Sequence, residues 1–306
     1  MLRPADFEQR YVHVNGIRMH YAQAGHGPRL LVLLHGFPQC WWAWRQQLAL
    51  FQPGRAPGQD LAERFTVVAP DLRGYNETDR PSWGYELDVL AQDVVALIHE
   101  LGHDRAVVAG HDWGGGVAWA LAIAHAHLVE RLIVLNSPHP ALFAQALGTN
   151  WRQMLRSWYF LFFQLPWLPE ALLRASDFAA LERMFRGTTA DQAAFDDQDI
   201  LIYKRALSQP GALTAAINYY RAVVQQGARG MYRGTGMRVA APTLLIWGER
   251  DPALGRELVE GTERFAPDLR VRFIPECSHW VMEERPDLVN RHVLEFLAEA
   301  SSQGQR

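Results

Sequence analysis

The chain has 306 residues, enough for one large domain or two ordinary ones around a substantial core. An apolar share of 49% and a charged share of 21% are those of a water-soluble globular protein. The net charge of −3 leaves no polyanion-binding footprint, so no nucleic-acid partner is expected.

Cys40 and Cys277 are the only cysteines, too few for a disulfide framework; they read as small buried apolar residues in a reducing, cytoplasmic setting. Met1 to Asp6 lack the apolar run of a signal peptide. Lys204 is the only lysine, which reads as a compositional bias toward arginine rather than a binding surface.

In chain order, residues 11–14 and 17–24, joined by Asn15-Gly16, form a hairpin pattern. Residues 30–34, 66–69, 106–109 and 132–135 are short apolar runs of the kind buried in parallel sheets. Residues 87–101 carry apolar side chains at helical spacing and stop at Gly102. Residues 52–59, with two Pro-Gly pairs, read as a surface loop.

From 138 to 236 the pattern turns to aromatic-rich helical segments. Strand and helix alternation resumes with residues 243–247, 271–274 and a helix over 286–298. The organisation expected is an α/β core (1–137 and 237–306) interrupted by a helical cap (138–236), with a frayed end over 301–306. The most hydrophobic stretch, 158–173, is broken by Gln164, Pro166, Pro169 and Glu170, so no membrane span is expected.

Gly110-His111-Asp112-Trp113-Gly114 follows one apolar run and leads into a helix-forming segment. The pattern is the strand–turn–helix of an α/β-hydrolase nucleophile elbow, which predicts that fold: a mostly parallel sheet flanked by helices. Asp112 stands where serine is common. A carboxylate is ionised at neutral pH and suits attack on a saturated carbon, leaving an ester on the enzyme.

An ester must be cleaved by water, which requires a base and an acid to orient it. Asp251, after residues 243–247, and His279, after 271–274, supply these in the chain order of the fold. Glu249 is the alternative acid. Asn136 occupies a place where some relatives carry the acid, but an amide cannot supply its charge.

His99 and His103 share a helix face without a third ligand, so no metal site is expected, and no cofactor either. His35-Gly36-Phe37-Pro38 follows residues 30–34, and in this fold that loop donates to an oxyanion hole with the residue after the nucleophile. The donors are therefore Phe37 and Trp113. Trp41, Trp42 and Trp44 are expected to pack at the following helix, with one available to face the pocket.

These motifs, with Asp71-Leu72-Arg73-Gly74-Tyr75, Trp247-Gly248-Glu249-Arg250-Asp251 and Ser278-His279-Trp280, resemble those of the α/β-hydrolase-fold epoxide hydrolases from about Tyr11 to Leu297. The resemblance implies two cap tyrosines that hydrogen-bond the epoxide oxygen. Segment matching assigns Tyr159 and Tyr220, with Tyr219 as the alternative for the second. These two, with Phe37 and Trp113, are also the expected substrate-binding residues.

It implies a lipophilic epoxide as substrate, a vicinal diol as product and a possible homo-oligomer. Related haloacetate dehalogenases place arginines where this chain has Trp113 and Gly116. Haloalkane dehalogenases place asparagine at Phe37, leaving a cap tryptophan such as Trp151 or Trp158 to hold halide. Dehalogenation, and a non-catalytic binding protein of the same fold, are the alternatives.

Overall fold

The computed structural model describes residues 2–54, 61–227 and 237–299. Its centre is an eight-stranded sheet: β1 (Glu8–Val14), β2 (Ile17–Ala24), β3 (Arg29–Leu34), β4 (Phe65–Pro70), β5 (Ala106–His111), β6 (Val129–Leu135), β7 (Thr243–Gly248) and β8 (Leu269–Ile274). The order across the sheet is β1-β2-β4-β3-β5-β6-β7-β8. The β1–β2 and β2–β4 pairs are antiparallel and all others parallel. This is the α/β fold expected.

The expected strands are all present, most of them longer by one to three residues than their apolar runs. The difference reaches three residues at β6, which starts at Val129, and at β1, where Glu8, Gln9 and Arg10 extend the strand. The three residues of β1 lie on the sheet edge with their side chains exposed, so backbone pairing to β2 holds them and no apolar pattern marks them. Asn15 and Gly16 turn the hairpin with positive φ of 45° and 78°, as a two-residue loop requires.

The central strands β5 and β7 are buried along their whole length because helices cover both faces. One of these helices, Leu87–Glu100, buries Leu90, Val94, Leu97 and Ile98, and ends before Gly102 at φ 80°.

Chain order reverses between β3 and β5: β4 lies on one side of β3, and β5 on the other. Such a switch opens a crevice beyond the carboxyl ends of the strands. The loops after β3, β5, β6, β7 and β8 all emerge on that edge.

Between β6 and β7 the described chain is helical: Pro140–Thr149, Trp151–Arg156, Trp158–Phe162, Leu168–Thr188, Asp197–Ser208 and Ala212–Gln226. Local chemistry sets several starts. Asn150 accepts from the amides of Arg152 and Gln153 at 3.0 and 3.2 Å. Asp196 and Asp199 form a reciprocal capping box.

Cys40 and Cys277 are free and buried. Among the described residues no helix is long and apolar enough to cross a membrane. Most of the loop expected over 52–59, the end of the segment expected to reach 236, and the frayed end expected over 301–306 lie outside the described residues.

Candidate active site

β5 delivers Asp112 to the crevice. Its backbone, at φ 51° and ψ −119°, makes the sharp turn that opens helix Trp113–Ala124. The turn depends on close backbone approach: a Cβ on Gly110 would sit 2.2 Å from the Gly114 carbonyl oxygen, and one on Gly114 2.2 Å from that of Leu34. An unfavourable φ at a non-glycine residue persists only where the surroundings over-determine it, and here it lifts one carboxylate clear of the sheet.

Because β3 and β5 are neighbours, with Leu34 opposite Gly110, the loop after β3 meets the same carboxylate. The amide of Phe37 donates to Asp112 Oδ1 at 2.8 Å, and the Trp113 amide also bonds the carboxylate. Gly36 lies so close that a Cβ there would be 2.5 Å from Oδ1. His35 holds this loop: its Nε2 accepts from the Leu72 amide at 3.0 Å, and its Nδ1 donates to the Gly36 carbonyl at 3.0 Å.

β8 brings His279 and β7 brings Asp251. His279 Nδ1 donates to Asp251 Oδ2 at 2.7 Å, and its Nε2 lies 3.6 Å from Asp112 Oδ2. Asp251 Oδ1 accepts from the amides of Ala253 and Leu254 at 2.8 and 2.9 Å. Glu249, the alternative acid, is bound to Arg256 instead.

The charges follow from these contacts. Burial raises the Asp112 carboxyl above its usual range, opposed by His279 and the two amides. Burial would also raise Asp251, but the His279 charge and the converging donors outweigh it and hold it low. For His279 burial works downward, yet the carboxylates of Asp251 and Asp112 push it to about 9.

Two residues do more than the sequence reading gave them. Asn136 Nδ2 donates to Asp251 Oδ2 at 2.7 Å while its Oδ1 accepts from the Gly248 amide at 3.0 Å. The amide that cannot replace the acid therefore braces it. His111 donates from Nε2 to the His279 carbonyl at 2.9 Å; burial and the neighbouring His279 keep it neutral, with a pKa of about 3. An apolar strand followed by a polar residue marks Asn136 in the sequence, but its partners come from elsewhere in the chain.

A cavity lies above Asp112, lined mostly by apolar groups including Trp113, Phe143, Phe160 and Leu254, together with Ser137, Tyr159 and Tyr220. Among the described residues, Asp112 is the only charged one in its lining. The Tyr159 and Tyr220 rings lie 5.7 Å apart. Burial, then the Asp112 charge, raises both phenols, so both remain O–H donors at neutral pH.

Tyr219 points elsewhere: its hydroxyl donates to the Arg73 carbonyl at 2.8 Å, and it is fully buried. Trp41, Trp42 and Trp44 are buried and do not line the cavity. Trp151 and Trp158 are exposed and do not line it either. Among the described residues no group of three or more His, Cys, Asp or Glu side chains could hold a metal ion.

An elbow carboxylate in two backbone amides, faced by an Asp-oriented histidine, defines a hydrolase of the α/β class. The alpha/beta hydrolase fold family matches residues 29–286. Epoxide hydrolase 4 of Homo sapiens is 38% identical, covering 94% of this chain and 78% of its own. An AB hydrolase superfamily protein of Bacillus subtilis (strain 168) is 40% identical, covering 94% of this chain and 97% of its own. A crystal structure of a Bacillus megaterium epoxide hydrolase in complex with an inhibitor superposes with a TM-score of 0.84 at 30% identity, covering 95% of this chain and all of that one. The chain belongs to the epoxide hydrolases of the α/β-hydrolase fold.

Proposed function

We propose that this epoxide hydrolase opens a neutral, lipophilic epoxide to a vicinal diol through an ester on Asp112. Residues 138–236 act as its cap. Asp112 Oδ2 attacks one epoxide carbon and the carbon–oxygen bond of the ring breaks. Tyr159 and Tyr220 donate to the ring oxygen as its bond breaks, and that oxygen takes up a proton from solvent to become the hydroxyl of the ester. Bonds that strengthen as charge develops favour the transition state over bound substrate.

Water then adds to the Asp112 carboxyl carbon, losing a proton to His279 Nε2. The charge that appears on Oδ1 falls to the Phe37 amide, which already holds that oxygen, with the Trp113 amide on the same carboxylate. Asp251 stabilises the imidazolium. Collapse breaks the Cγ–Oδ2 bond; His279 returns its proton to the departing diol oxygen, and the oxygen from water stays on Asp112, whose carboxyl gives its proton to solvent.

The observation that carries this reading is a carboxylate, cradled by amides, in a cavity whose described lining adds two tyrosines and no cation. The absence of arginine or lysine from the described lining disfavours a haloacid, and the placement of Trp151 and Trp158 disfavours a halide cradle. A cytoplasmic location is part of the same proposal, supported by the two free cysteines.

Purified enzyme should form diol from styrene-type, aliphatic or fatty-acid epoxides far faster than it releases halide from bromoalkanes. His279→Gln should accumulate an adduct of one epoxide mass on the peptide containing Asp112. Halide release without diol, or incorporation of no ¹⁸O from water into Asp112 during wild-type turnover, would overturn the proposal.

A further inference from the structure

The helices that wall the cavity carry a second feature on their outer side. Trp151–Arg156 and Trp158–Phe162 are joined at Ser157, whose φ of −90° and ψ of 14° nearly continue the helix. Residues three or four apart share a face of such a run. Gln153 and Ser157 are buried and Phe160 lines the cavity, so this face belongs to the body of the protein. The opposite face should be polar if it met only water.

It is apolar instead. Trp151, Leu155, Trp158 and Leu161 follow helical spacing at 65%, 64%, 61% and 73% exposure, and Leu165 and Trp167 continue the surface. Scattered apolar residues are ordinary on a protein surface; several consecutive turns of them on one face mark an interaction site.

The charge around this face selects the occupant. From 138 to 169 the chain carries Arg152 and Arg156 and no Asp or Glu. Arg152 stacks over the Trp151 ring with its guanidinium carbon 5.5 Å from the centroid. Arg156 has Glu257 only at 3.7 Å, with both side chains more than a third exposed. A symmetric dimer would bring two copies of Arg152 and Arg156 into one interface, and the segment itself supplies no acid to neutralise them. Tryptophan and leucine rimmed by arginine fit the boundary of an anionic bilayer, where rings sit among the headgroups and guanidinium groups reach the phosphates.

We infer that the face formed by Trp151, Leu155, Trp158 and Leu161, with Arg152 and Arg156, docks on anionic lipid surfaces. The enzyme then lies in the interfacial plane, with the wall of its cavity against the membrane. The binding needs no turnover, so it stands apart from the chemistry assigned to Asp112.

The test is co-sedimentation of the full chain with vesicles of phosphatidylcholine alone and of phosphatidylcholine mixed with phosphatidylglycerol. Binding should require phosphatidylglycerol and fall as sodium chloride is raised. Arg152→Gln with Arg156→Gln should lower the partition coefficient about thirty-fold. Leu155→Gln and Leu161→Gln should each lower it about tenfold or more. All four substitutions should leave circular dichroism and turnover of a water-soluble epoxide unchanged.

Failure to bind phosphatidylglycerol vesicles, or binding that these variants leave intact, would overturn the inference. So would a dimer in sedimentation velocity that Leu155→Gln and Leu161→Gln dissolve, because the face would then belong to a second copy.

Discussion

Replacing Asp112 by Asn should make His279 a much stronger acid, and the reason is the timing of the two chemical steps. In the free enzyme His279 Nε2 lies 3.6 Å from Asp112 Oδ2, and that carboxylate helps Asp251 hold the imidazole charged up to about pH 9. In the proposed mechanism a charged histidine is harmless to the first step, because the carboxylate itself attacks. It is useless for the second, which needs a neutral base. The ester proposed on Asp112 would abolish its charge at the point where the base is required.

The size of the effect follows from the distance. Unit charges 3.6 Å apart attract by about 1 kcal/mol at an effective dielectric of about 80 and about 5 kcal/mol at about 20. The imidazolium should therefore become roughly ten- to a thousandfold more acidic once Asp112 is neutral. Asp112→Asn reproduces that neutrality with little change in shape. The ring protons of His279, followed by NMR from pH 5 to pH 10, should titrate well below their midpoint in the unaltered enzyme. In single-turnover kinetics the ester-cleavage phase should rise with pH through this lower value, because neutral imidazole is the reacting form, while alkylation shows no inflection there. An unchanged His279 midpoint in Asp112→Asn would refute the coupling, leaving Asp251 as the sole control of the base.

Tyr159→Phe and Tyr220→Phe should each slow alkylation by about 10²–10³ while sparing hydrolysis of a preformed ester. Tyr219→Phe should leave alkylation nearly intact and cost about 1 kcal/mol of stability through its lost bond to the Arg73 carbonyl; rapid-mixing kinetics beside denaturant titration separate the two. Asn136→Ala should slow ester cleavage more than alkylation in single-turnover kinetics, because Asp251 loses a donor that fixes its position and the Gly248 amide its acceptor. Glu283, buried against Arg45 and Tyr203, has its pKa raised by burial from 4.5 to about 7. A raised folded-state pKa favours folding at low pH, so Glu283 contributes stability below about pH 4.5 that is lost as pH rises through about 7. Glu283→Gln should flatten the dependence of Tm on pH across that window; an unchanged slope would assign it to other groups.

The core strands are legible because burial on both faces demands continuous apolar runs, and β5 and β7 have them. The first residues of β1 are not, because an edge strand is held by backbone pairing that polar side chains do not betray. Adjacent helix positions diverge by about 100°, so the sequence marks a tyrosine pair without saying which member faces the cavity. The core on one side settles it: Arg73 takes the hydroxyl of Tyr219, and Tyr220 is left to the cavity. Asn136 is hidden for a further reason. It has no charge, and its partners at Gly248 and Asp251 are brought to it only by β6 lying beside β7. The sheet order does the same for the chemistry: β3 beside β5 puts the Phe37 amide on Asp112, and β7 beside β8 puts His279 on Asp251. A motif names the atom that reacts, whereas the protonation of that atom depends on distances such as the 3.6 Å between His279 and Asp112, which arise only once strands far apart in sequence end on the same edge.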